Sequence, residues 1–180
     1  PNAFIQTDHP ARDADGNRTI MKIRGQVVEI LCEIDPAYIP FVVQEGNSKV
    51  LYLHITKAIY GMLVSSMLFY RKLKRDLIGY GFEINPYDPC VANKIVEGSQ
   101  MTVSWHVDDL KASHANAAIT EDFVNWVKDQ YGSIGEVKIT RGKVHDYLGM
   151  KLDYSIPGKV KIDMRDYVKS MIDDFPQQFL

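Results

Sequence analysis

The sequence has few cysteines, no long apolar run and almost no net charge. Its two cysteines, Cys32 and Cys90, are too few and too widely spaced for a disulfide framework or a thiolate zinc site, so we expect a reduced, intracellular setting. No apolar stretch reaches the roughly 18 residues that a membrane-spanning helix needs, and we expect no membrane partner. The net charge of −2 excludes a globally basic surface for nucleic acid and leaves only local basic patches.

Internal repeats and linkers rich in glycine, serine or proline are also lacking, which favours one structural unit. Of the 180 residues, 46% are hydrophobic and 24% are charged, as in a globular domain or a well-formed piece of a larger one. The chain begins with Pro1 and has no basic-then-apolar leader. We interpret this start as an internal cut from a longer polypeptide or as a processed end.

Hydrophobic periodicity predicts strands interleaved with amphipathic helices. Strands are predicted at residues 3–6, 20–23, 50–55, 82–85, 91–96, 147–153 and 160–162, with two more joined by a tight turn within 100–114. Helices are predicted from Ile59 to about Gly79, around Phe123 with an end at Tyr131, and after a capping Asp163. Residues 27–41 have a mixed pattern. Helices on one face of an antiparallel sheet would bury these apolar stripes, so the predicted class is α+β.

Two adjacent aspartates, Asp108 and Asp109, follow the alternating segment 100–107. Alternation puts Met101, Val103, Trp105 and Val107 on one strand face, and it puts His106 and Asp108 on the polar face. Two carboxylates at a rigid turn repel each other unless a cation or proton neutralises them, which favours a hard divalent ion such as Mg²⁺. Aspartates that merely favour the turn are the alternative that the local pattern leaves open. A second pair, Asp173 and Asp174, is predicted to lie on exposed helix surface.

Several strings, in order, resemble the reverse transcriptase of copia-type (Ty-like) retrotransposons. They are NAFIQ at 2–6, ITKAIYGML at 55–63, WHVDDLK at 105–111, GEVK at 135–138, DYLGMKLDYS at 146–155 and VKIDMRDYVKSMI at 160–172. The resemblance runs from Pro1 to about Phe175. It implies a polymerase palm, a ferredoxin-like antiparallel sheet with helices packed on one face, at residues 1–155 with a residual finger segment. Residues 156–180 would connect to a thumb-like helix, and most of the fingers would be missing.

The resemblance also implies an activity, namely an RNA-directed DNA polymerase that transfers a nucleotide from a dNTP to a primer 3′-hydroxyl by the two-metal mechanism. Asp108 would bridge two Mg²⁺ ions, for which Mn²⁺ is an alternative, and Asp109 would support the site. Lys138 would act near the pyrophosphate as a general acid or as a stabiliser of charge. The implied partners are an RNA or DNA template with its primer, the dNTP and the remainder of a polyprotein, in a cytoplasmic particle or the nucleus.

The resemblance assigns further residues to the nucleotide and to the primer. Phe4 would be the steric gate beneath the incoming sugar, with Lys57, Tyr60 and Gly61 also at the nucleotide. The primer would be contacted by His106, which replaces the family's usual tyrosine, and by the "primer grip" Tyr147, Leu148, Gly149 and Met150. From the local pattern alone, Phe4 is equally compatible with a core residue and Lys57 with a surface charge.

The chain departs from the family pattern at several places. His106 is one departure, and Leu63–Met67 is another, because it replaces a polar and basic run of the family. The interval from Lys138 to Tyr147 is longer than in the family. We expect the basic residues of this insertion to be exposed loop charges. The family's first metal-binding aspartate would stand two positions before Pro1. We therefore expect little or no polymerase activity from these 180 residues alone. An inactive retroelement remnant that binds nucleic acid weakly, and an unrelated α+β binding module, remain alternatives.

Overall fold

The computed structural model describes residues 3–13 and 15–175, which form short strands and helices in alternation. The strands are β1 (Ile20–Arg24), β2 (Val43–Glu45), β3 (Ser48–His54), β4 (Glu83–Ile84), β5 (Val91–Val96), β6 (Ser99–His106), β7 (Asp109–Ser113), β8 (Val144–Tyr147), β9 (Met150–Asp153) and β10 (Lys161–Asp163). The α-helices are α1 (Gln26–Ile34), α2 (Ser65–Gly79), α3 (Ala117–Tyr131) and α4 (Arg165–Asp173). Two short 3₁₀ helices are Phe4–Gln6 and Pro36–Phe41.

The strands form three antiparallel sheets with the orders β1-β3-β2, β4-β5-β6-β7 and β10-β9-β8. The chain divides into two compact units rather than the single unit that its lack of linkers predicted, and the first ends at Lys72 and the second begins at Leu73, inside α2. The first unit holds the sheet β1-β3-β2, and the second holds the other two sheets. This mixture of helices with antiparallel sheets confirms the predicted α+β class. Within the described residues, no helix combines the length and the apolar character that crossing a bilayer requires.

The four-stranded sheet is the scaffold of the second unit. Alternate side chains of β6, Met101, Val103 and Trp105, are at most 3% exposed, so one face of the strand is fully buried. On the helices, Leu73 and Leu77 of α2 are fully buried. An aromatic cluster continues this core, with ring centroids 4.5–6.1 Å apart among Tyr80, Phe82, Phe123 and Trp126. This apolar layer fixes β6 and leaves its hairpin end exposed.

The beginning of α2 differs from the prediction. The helix starts at Ser65, not at Ile59, because Gly61 has a φ of 91°, which is incompatible with a right-handed helix. The Ser65 hydroxyl donates a hydrogen bond of 2.6 Å to the carbonyl of Ile59, so this carbonyl in the turns before the helix has a partner. Leu63, assigned to the buried stripe by its spacing, is 98% exposed. The helix ends at Gly79, as predicted.

Two predicted strands, one interval without an assigned element and one helix cap also differ from the structure. The predicted strand at 3–6 is a 3₁₀ helix, in which the amide of Thr7 donates to the carbonyl of Phe4. The predicted strand at 147–153 is interrupted by a turn at Leu148–Gly149. Residues 27–41, whose pattern is mixed, contain most of α1. Periodicity does not predict this helix because apolar residues lie on both its buried and its exposed sides. Asp163 precedes α4 as predicted, but the cap position itself is occupied by Met164.

Candidate active site at an acidic hairpin turn

The two adjacent aspartates lie where β6 turns into β7. His106 pairs with Asp109, so Val107 and Asp108 form a two-residue turn. Val107 has a φ of 54°, in a region that β-branched residues seldom adopt and that costs about 1–2 kcal/mol for L-residues. Such tight hairpins match the twist of the flanking strands. The turn therefore presents the carboxylates at a fixed position.

The turn is exposed, as the alternation along β6 predicted. Asp108 and Asp109 are both exposed, while Trp105, three residues before Asp108, is 3% exposed. Val107 is the exception to the predicted pattern. It was assigned to the buried face, but it is 40% exposed because the strand has already ended at His106.

An exposed pair of carboxylates at one turn is suited to binding a cation. The like charges repel, and a divalent cation that accepts oxygen ligands relieves the repulsion. The donor set therefore suits Mg²⁺ or Mn²⁺. Across residues 3–13 and 15–175, no group of three or more His, Cys, Asp or Glu side chains is placed to hold a metal ion. For a metal ion, Asp108 and Asp109 would therefore be only part of a ligand set.

His106 lies beside the acidic turn. It faces Asp109 directly across the β6–β7 ladder, and the next residues on the same face, Ser104 and Lys111, also pair with each other. All four side chains share one face of the hairpin because cross-strand partners project to the same side. The predicted primer contact, His106, and the predicted metal ligand, Asp109, are therefore neighbours.

A second hairpin carries the residues predicted to grip the primer. Tyr147 pairs with Met150, and Leu148 and Gly149 form the turn, with φ values of 52° and 75°. Two positive φ values are typical of a type I′ turn. Leu148 is 43% exposed at the tip. The structure therefore corrects the uninterrupted strand that the periodicity predicted, while the primer contact of these residues stays a prediction.

The two hairpins are connected by a cation–π contact. The ammonium of Lys111, on β7, lies 5.4 Å from the ring centroid of Tyr154, which follows β9. The amide of Tyr154 donates to the carbonyl of Lys143 at 2.7 Å and extends the β8–β9 ladder by one bond. A contact of this kind is worth about 0.5–1 kcal/mol at an exposed site. It joins the strand that begins with Asp109 to the primer-grip hairpin.

Lys138 is exposed in the irregular segment between α3 and β8. This segment is held to α3 by an ion pair that the sequence did not reveal. Arg141, one of the inserted basic residues expected to be exposed loop charges, is exposed and contacts both carboxylate oxygens of Glu121, at 2.6 and 3.1 Å. The hydrogen bond from Arg141 lowers the pKa of Glu121. No local signal could have predicted the pair, because its partners lie 20 residues apart.

The residues predicted to contact the nucleotide lie in the first unit and form a cluster there. The ring of Phe4 is 4.4 Å from that of Tyr60 and 6.3 Å from that of Phe69. Phe4 is 8% exposed and Tyr60 is 54% exposed. Gly61 follows with open space around its α-carbon. The structure thus brings Phe4 and Tyr60 together, as the resemblance implies, but Phe4 lies on a 3₁₀ helix rather than on a strand.

Lys57 has a specific partner. Its ammonium contacts a carboxylate oxygen of Asp8 at 2.5 Å, and the backbones of the two residues form an isolated antiparallel bridge. The amide of Ala58 donates to the carbonyl of Thr7 at 2.9 Å on the same short ladder. This hydrogen bond from Lys57 is the main reason that the pKa of Asp8 is lowered, with smaller contributions from the charges of Lys57 and Lys72. The sequence indicated a surface charge at Lys57 but not its anchor.

The geometry can be compared with known proteins. A family model described as "Reverse transcriptase (RNA-dependent DNA polymerase)" matches residues 23–178 of the 180-residue chain. The matched range contains the acidic turn, the Leu148–Gly149 turn and Lys138, and it begins after Phe4. Comparison with curated proteins and with solved structures finds no match.

Proposed function

The chain belongs to the copia-type family of reverse transcriptases, and on this premise we propose that its acidic turn is the metal-binding centre of an RNA-directed DNA polymerase. The observation that carries the proposal is the exposed Asp108–Asp109 pair at a two-residue turn of an antiparallel sheet, inside the matched range. In the reaction the primer 3′-hydroxyl attacks the α-phosphorus of a dNTP, a new phosphodiester forms and pyrophosphate leaves.

Asp108 and Asp109 would hold the divalent cations, which supply charge neutralisation and activation of the 3′-hydroxyl when bound. His106, opposite Asp109 on the same face, would contact the primer end, and the turn at Leu148–Gly149 would support the primer strand. Lys138 would stabilise the departing pyrophosphate. A primer annealed to an RNA or DNA template is the implied partner of this face.

The residues that the resemblance assigns to the nucleotide are proposed within the first unit, taken by itself. Phe4 would lie beneath the incoming sugar, and its contact with Tyr60 would fix the gate ring. Gly61, which has a positive φ and open space, would let the backbone approach the new base pair. Residues 1–155 would then be the palm with a residual finger segment, and 156–180 the connection to the thumb, within a longer polyprotein.

Metal binding tests the proposal directly. Binding of Mn²⁺ by the 180-residue chain, followed by electron paramagnetic resonance, should be weakened at least about tenfold by Asp108→Asn or Asp109→Asn, because each change removes a charged oxygen ligand. The chain offers a matched control in the exposed pair Asp173 and Asp174. The double variant Asp173→Asn/Asp174→Asn should bind Mn²⁺ like the wild type, and equal losses in both pairs would refute the proposal.

Primer extension tests the activity. The chain alone should show little Mg²⁺-dependent synthesis, because two carboxylates are only part of a two-metal ligand set. A longer polypeptide with an aspartate upstream of Pro1 should extend a primer, and Asp108→Asn should reduce its kcat by about a thousandfold or more, as expected for loss of a central electrostatic group. Robust synthesis by the isolated chain would contradict the first expectation.

The alternative is an inactive remnant that binds nucleic acid weakly. The departures from the family pattern at His106 and Leu63–Met67 favour it. The longer polypeptide discriminates between the two. If it binds a primer–template but does not extend the primer, the remnant is the better description.

A further inference from the structure

The turn at Leu148–Gly149 lies directly against an aromatic ring of α4. A Cβ atom at Gly149 would lie 2.8 Å from Cδ2 and 3.4 Å from Cε2 of Tyr167. Carbon atoms in favourable contact are about 3.5–4.0 Å apart, so the ring occupies the space that a side chain at position 149 would need. Glycine is therefore required there for two reasons, its positive φ of 75° and the ring that rests on its backbone.

The ring is attached to the same sheet as the turn that it covers. Strand β10 pairs with β9, and both carboxylate oxygens of Asp163, at the end of β10, accept hydrogen bonds from the guanidinium of Arg165 at the start of α4. The amide of Arg165 also donates to Asp163 at 3.1 Å. Tyr167 follows two residues later, so the first turn of α4 holds its ring at a set distance from the hairpin.

Helix α4 has little else to hold it. Within the described part of the chain, none of its side chains is buried, and Tyr167 is 45% exposed. A helix of nine residues is not stable by itself in water, so its few contacts with the rest of the unit decide where it lies. The contact of Tyr167 with Gly149 is thus disproportionately important for both partners.

We propose that Tyr167 is the positioning residue of the Leu148–Gly149 turn, and that its ring fixes the hairpin tip on which the primer end rests. The contact between the hairpin tip and the primer end rests on the proposed function, whereas the positioning of the turn by Tyr167 does not. The ring limits the backbone motion of a turn whose φ values are already unusual. It therefore keeps the exposed Leu148 in one orientation.

A double-mutant cycle with a matched control tests this proposal. The variants are Gly149→Ala, Tyr167→Ala, both together, and Gly98→Ala. Gly98 is the control because it has the same φ of 75° in another two-residue turn and has no atom within 4 Å of its Cβ position. Amide hydrogen exchange at residues 148–150 and the affinity of the chain for a fluorescent primer–template duplex are measured for each variant.

Gly149→Ala should speed amide exchange at the turn and lower the affinity of the chain for the duplex by about tenfold, which is a usual size of coupling between residues in contact. Tyr167→Ala should also speed exchange at the turn and weaken duplex binding, and the double variant should lose no more than the larger of the two single losses, since both changes disturb the same contact. Gly98→Ala should leave the duplex affinity unchanged, and Tyr167→Phe should behave as the wild type in both measurements.

Two results would overturn the proposal. One is a loss in the double variant equal to the sum of the two single losses, and the other is unchanged exchange at the turn in Tyr167→Ala. Failure of the proposed function gives a different pattern. If the exchange measurements show the coupling but the wild-type chain binds no duplex, the positioning of the turn is supported and the primer-binding role is wrong.

Discussion

At the scale of single residues, ion pairs between distant positions hold the candidate site residues in place. Lys57 is fixed by Asp8, 49 residues earlier, and the segment after Lys138 is fixed by the pair between Arg141 and Glu121. Exposed pairs of this kind contribute little to stability because water and salt screen them. Their effect is on position, since each holds a predicted site segment against a neighbouring element.

The Asp8–Lys57 pair predicts a pH dependence. The hydrogen bond from Lys57 lowers the pKa of Asp8 in the folded state below its unfolded value of about 4. Its contribution to stability is therefore present above that value and is lost as the pH falls through the folded pKa. In urea unfolding, the stability difference between wild type and Asp8→Asn should be constant from neutral pH to about pH 5 and vanish in acid. The control Asp15→Asn should show no such difference, and a pH-independent difference for Asp8→Asn would contradict the prediction.

At the scale of elements, a shielded hydrogen bond joins two helices of the second unit. In the second unit, α2 and α3 are joined by the hydroxyl of Tyr131, which donates to Asp76 at 2.7 Å. Tyr131 is only 9% exposed, and the Asp76 side chain only 12%. Hydrogen bonds to charged groups that are shielded from water are stronger than those at the surface.

Removal of this hydrogen bond should be measurable. Tyr131→Phe should lower the free energy of unfolding by about 2 kcal/mol, because the Asp76 carboxylate loses its donor. Burial raises the pKa of Tyr131, and the bond to Asp76 adds to the shift. The stabilisation is therefore present below the unfolded tyrosine pKa of about 10 and decreases above it, as measured by chemical denaturation. Tyr87→Phe, at a side chain that is 95% exposed, is the control and should change stability very little.

At the scale of the whole molecule, the buried residues are concentrated before residue 155. The largest fully buried side chains belong to residues 28–103, and the core continues to Leu152. Beyond that point β10 adds three pairs to β9, and α4 has no buried side chain among the described residues. This distribution agrees with a connection that begins near residue 156, a boundary that stays a prediction.

Truncation tests that boundary. The chain cut after residue 155 should remain folded, with a cooperative thermal transition in circular dichroism, because residues 156–175, the described part of what is removed, contain no buried side chain. A chain cut after residue 113 is the control. It loses α3 with the buried Phe123 and Tyr131 and should not fold. Loss of the cooperative transition in the 1–155 chain would show that the last helix is part of the core.

The sequence determined the local features of this protein. Alternation in β6 predicted its buried face and the exposed acidic turn, and the ordered strings identified the family that the residues 23–178 match. Hydrophobic periodicity and the residue types that favour turns are properties of neighbouring residues, so both can be recognised without knowledge of the fold. Tertiary structure decided what depends on distant partners, such as the anchors of Lys57 and Arg141 and the ring of Tyr167 on Gly149. It also decided where α2 begins, since a glycine turn and not periodicity sets that end. Such contacts join residues that lie far apart along the chain, and no pattern along the sequence records them.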